Sequence, residues 1–234
     1  MSNRLAEKLK GLFVLFAGHF LQNAAQLLDG TNLSKTDICY YGNSAFGVQK
    51  SCLLLENILK TLHSVFLYDS TDSTNFLNKD KFEVLLHPLV DQVCNNYSIF
   101  DPSFNLVMFQ NKKFFQLENT LGGIEALEKR TETLLTPCLA QMALATDDIL
   151  WKSLNYQILV KTKSSVPQVR IGALETIVAI ATKLGEDYLM LLPETIGSLA
   201  ELLEDDDERV ESAIKKAIQK LEDVLGEPVR EYFQ

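Results

Sequence analysis

Three cations stand close together in this sequence: Lys161, Lys163 and Arg170. They form its best basic cluster, and two chemistries suit them. Lysine and arginine donate to phosphate oxygens, so the cluster is a candidate RNA or partner contact. Arginine also pairs with carboxylates, so Arg170 could tie one helical unit to an acid in the next corner. That structural role is the preferred reading for Arg170, and Lys161 and Lys163, near a loop, are the better candidates for RNA. Asp205-Asp206-Asp207-Glu208 could suggest a cation site. A calcium loop alternates its ligands around a turn glycine, which this run lacks. The acids are read instead as a helix start, with Asp205 as the cap and Glu208 three residues on.

Other reactive residue types are scattered. Cys39, Cys52, Cys94 and Cys138, with His19, His63 and His87, make no zinc spacing, so no metal is expected and the thiols are read as reduced. Cys138 sits in the apolar run "LLTPCLAQMA" and reads as inert core. His63 and His87 lie among apolar residues and read as packed or partly exposed, not catalytic. Trp151 and Tyr156 could stack on a base. Near Leu154, Ile158 and Leu159 on one helix, both read as core. With no nucleophile set beside a base, the chain is not expected to be an enzyme or to need a cofactor.

The elements that must position these residues read as helices. The chain has 234 residues, 47% of them hydrophobic, and only 11 Gly and 6 Pro, too few turn formers for many short strands. Its net charge of -9 argues against strong nucleic-acid binding by this segment alone. Helices are expected at about 4–28, 48–67, from 79 onward with Asn78 as N-cap, 124–145, around "ILWKSLNYQILVK", and at 166–184, 193–204 and 206–225. A strand-like pattern occurs only between 97 and 116. The apolar run "GLFVLFAGHFL" is shorter than the roughly 20 residues a membrane span needs. It reads as buried helix in preference to a signal sequence.

Val169 and Val210 lie 41 positions apart, and apolar or small residues recur at matching offsets after each: Gly172 with Ala213, Ala173 with Ile214, Ile177 with Ile218, Ile180 with Leu221. A period near 40 that holds two helices marks HEAT or armadillo units. The expected fold is therefore an all-α, HEAT/armadillo-like α-solenoid. Pro193 suits a first helical turn, and Gly226 followed by Pro228 suits a stop. The last helix has one apolar stripe and a polar opposite face, as a C-terminal capping repeat requires. The first helix is apolar almost all round between Leu12 and Leu21. Such a helix should be buried on several sides, which implies further solenoid or a partner over it.

The stretches "AEKLKGLFVLFAGHF", "CLLLENILKTLHSVFLYD", "HPLVDQ" and the whole of 151–233 resemble the C-terminal region of the large HEAT-repeat, U3 small nucleolar RNA-associated protein family of the small-subunit processome. The resemblance implies a non-catalytic nucleolar scaffold that supports pre-rRNA transcription and processing toward 18S rRNA. The implied partners are processome proteins, the U3 small nucleolar ribonucleoprotein and pre-rRNA, with no membrane. The other reading is a HEAT or armadillo adaptor in another pathway, such as transport. Three parts are expected: an N-terminal helical part at 1–92, an insertion at 93–116 that departs from the family pattern, and C-terminal repeats with the cap at 117–234. The insertion, "VCNNYSIFDPSFNLVMFQNKKFFQ", is either a surface loop or a retained intron. Under the intron reading, deep transcript sequencing is expected to join the Gln92 codon directly to that of Leu117, and a complete absence of such reads would exclude it.

Overall fold

Apolar residues at helical spacing become helices here because each can hide one face against a neighbouring pair. The computed structural model describes residues 2–33, 41, 44–72, 74–93 and 124–233. Eleven helices occur among them. Five precede the gap: α1 (Ser2–Leu9), α2 (Gly11–Val14), α3 (Ala17–Leu33), α4 (Ala45–Asp72) and α5 (Lys79–Val90). Six follow it: α6 (Ile124–Arg130), α7 (Thr136–Leu144), α8 (Asp148–Lys161), α9 (Pro167–Leu184), α10 (Leu192–Leu203) and α11 (Glu208–Leu225). No strand occurs among the described residues. The strand-like stretch at 97–116 and the insertion, apart from Val93, lie outside them.

The helices stack in two layers. One layer runs α3, α5, α8, α10, and the other α4, α7, α9, α11, each packed on the next. The pairs α8–α9 and α10–α11 close each unit across the layers. This is the expected all-α solenoid. Both copies of the 41-residue pattern face the interior: Val169, Ala173 and Ile177 are fully buried, as are Val210 and Ile214. Hydrogen bonds one repeat apart join successive units within each layer. Thr136 and Thr176 share a 3.0 Å hydroxyl pair, and Asn155 donates to Thr195 at 3.3 Å. Tyr188, wholly buried in the 3-10 turn Gly185–Met190, stands 3.1 Å from both Asn155 Oδ1 and Thr195 Oγ1. Burial pushes its phenol upward, so it stays neutral inside the cluster.

Several helix ends follow their local chemistry. Asn78 and Asp147 accept from Lys81 N and Leu150 N. Pro193 lies in the first turn of α10, and Gly226 closes α11 in the left-handed region at φ 68°. Pro137 cannot donate to a carbonyl one turn back, and the helix leading to it widens into a π turn, Thr131–Leu135. Beyond α11, the turn Val229–Phe233 folds back on α10 and α11 with Val229 fully buried.

Two local expectations are corrected. The first helix is not continuous but breaks at Lys10, where φ is +49°, and again before Ala17. At the first break Gly11 lies so close to the Asp72 side chain that a Cβ there would clash with its carboxylate. The cap of α11 is Asp207, not Asp205, and it accepts from Arg209 N at 3.0 Å. Hydrogen bonds from Arg209 first of all hold its carboxyl down to about 2. A depressed carboxyl stabilises above its unfolded value, so this cap persists through mild acid and is lost as pH falls through about 2.

Leu199 and Ile177 are fully buried, and replacing either by alanine is expected to cost about 2–5 kcal/mol in urea unfolding. A loss within about 0.5 kcal/mol would mean that these faces are not packed as described.

Candidate interaction surface

The three sequence-predicted cations leave the α8–α9 corner in different directions. Lys161, at the end of α8, is held by Asp91 just past α5. Lys163 reaches the other way, to Glu201 on α10 at 3.2 Å. Arg170, on the first turns of α9, donates to Asp205 Oδ1 and to the Ser164 carbonyl, both at 2.7 Å. The same Asp205 oxygen accepts Asp207 N at 2.9 Å. That double duty is why Asp205 serves the corner while the helix cap passes two residues on. The Arg170 and Asp205 side chains keep only 13% and 9% of their surface exposed, whereas Lys163 keeps 61%. Of the cluster, Lys163 is therefore the cation most available to a second molecule.

The remaining candidates separate cleanly by burial. Cys138 is fully buried, and burial pushes its thiol up, away from the reactive thiolate. His63 is half-buried, its pKa lowered by burial and then by Lys183, and His87 is exposed. Among the described residues no group of three or more His, Cys, Asp or Glu is placed to hold a metal ion, and Cys39 and Cys94 lie outside them. No described helix is long and apolar enough to cross a membrane.

The aromatic pair on α8 divides. Trp151 turns inward, its indole N–H donating to the carbonyls of Ala143 at 2.7 Å and Thr146 at 3.1 Å. Tyr156, expected in the core, is instead 60% exposed. Residues 154 and 158 both point inward, and position 156 lies about 200° round the helix from each, so it faces away. The helical wheel alone carried that signal. The exposed residues Ile149 and Val160 share this outer face and were missed with it.

At the N-terminal end Leu12, Leu15 and Phe16 are 64%, 71% and 65% exposed. The all-round apolar run is thus partly seated: Phe13, Val14, Ala17 and Leu21 are buried, Phe20 packs against the core, and Leu12, Leu15 and Phe16 face outward.

Residues 1–74 match the BP28CT (NUC211) domain family. Over 234 residues the chain is 46% identical to "HEAT repeat-containing protein 1" of Macaca fascicularis and to the Homo sapiens protein of that name, in both cases across all of this chain. It spans 22% of the first protein's length and 10% of the second's. Over 61 residues, 26% of the chain, it is 51% identical to "U3 small nucleolar RNA-associated protein 10" of Emericella nidulans, covering 3% of that protein. The identity runs through both helical layers and the fold is the solenoid that the relatives' name describes, so the chain belongs to the family of HEAT repeat-containing protein 1.

Proposed function

We propose that this chain is a non-catalytic scaffold segment in nucleolar ribosome biogenesis. In that role it supports pre-rRNA transcription and processing toward 18S rRNA within the small-subunit processome. The observation that carries the reading is the 46% identity to HEAT repeat-containing protein 1 across all of this chain, joined to the U3 association in the name of the Emericella relative. The physical form agrees with the role. A stack of helix pairs exposes long rows of side chains to partners.

The basic cluster fits this reading in two parts. Arg170 and Lys161 serve the stack first, through Asp205 and Asp91. Lys163, exposed and paired only on the surface, is the residue through which the cluster touches RNA or a partner protein.

A tagged version of the chain, incubated in nuclear extract, is expected to enrich U3 small nucleolar RNA and early pre-ribosomal proteins together. Replacing Lys163 by alanine should lower the recovered RNA and flatten its salt dependence if the contact is direct. A folded, helical chain that enriches neither RNA nor pre-ribosomal proteins would overturn the proposal for this segment.

A further inference from the structure

No further inference is drawn: the strongest candidate, the surface patch of exposed apolar residues on α1, α2 and the turn after them (Leu5, Leu9, Leu12, Leu15 and Phe16), is an unpartnered face, and nothing in the structure shows what covers it.

Discussion

A helix pair of about 40 residues cannot bury its apolar stripe alone, and the rest of this structure follows from that constraint. Each helix must lie against its equivalent in the next unit, in one register. The register is pinned by polar contacts that reach between units inside the core. Thr136 meets Thr176 and Asn155 meets Thr195, each pair 40 positions apart. A slip by one helical turn would leave these groups buried without partners, which costs about 1–3 kcal/mol apiece. Apolar stripes alone tolerate such slips far better. Tyr188 strengthens the specification by engaging both members of the second pair from a third element. The corner ion pair of Arg170 and Asp205 repeats the logic at the rim, where the chain turns from one unit into the next.

Much of the fold was legible because its punctuation is local. Asn78, Asp147, Pro193 and Gly226 act within a turn of where they stand, and the 41-residue echo of Val169 in Val210 reflects burial that both copies share. What escaped the reading depends on distant residues or on exact angle. At the break after Lys10 the chain passes against Asp72, more than sixty residues along, and hydropathy around Lys10 carries no trace of that contact. In the run Asp205–Glu208 four acids compete for one cap, and the choice of Asp207 depends on Arg170 having already claimed Asp205. Tyr156 is a different kind of error. Its angle on α8 was available, and its apolar neighbours in sequence outweighed it.

The candidate surface was half legible for the same reason. Charge clusters are visible as letters, but whether a charge is spent inside the fold is a property of the stack. Lys161 and Arg170 turn out to brace neighbouring units, and Lys163 keeps most of its surface. The exposed face of α8 that carries Ile149, Tyr156 and Val160 was readable from their spacing on one helix.

The short turn after α11 has a consequence for how copies of such a chain meet one another. Stacking of equivalent helices is a head-to-tail contact with no rotation that closes it, so an uncovered last edge would accept another chain as readily as α9 accepts α11. Val229 is pressed fully into α10 and α11, and Arg230 reaches back to Gln219 and Glu222 along the final helix. The turn therefore covers part of the α10–α11 surface and ties the end of the last helix to the helix before it.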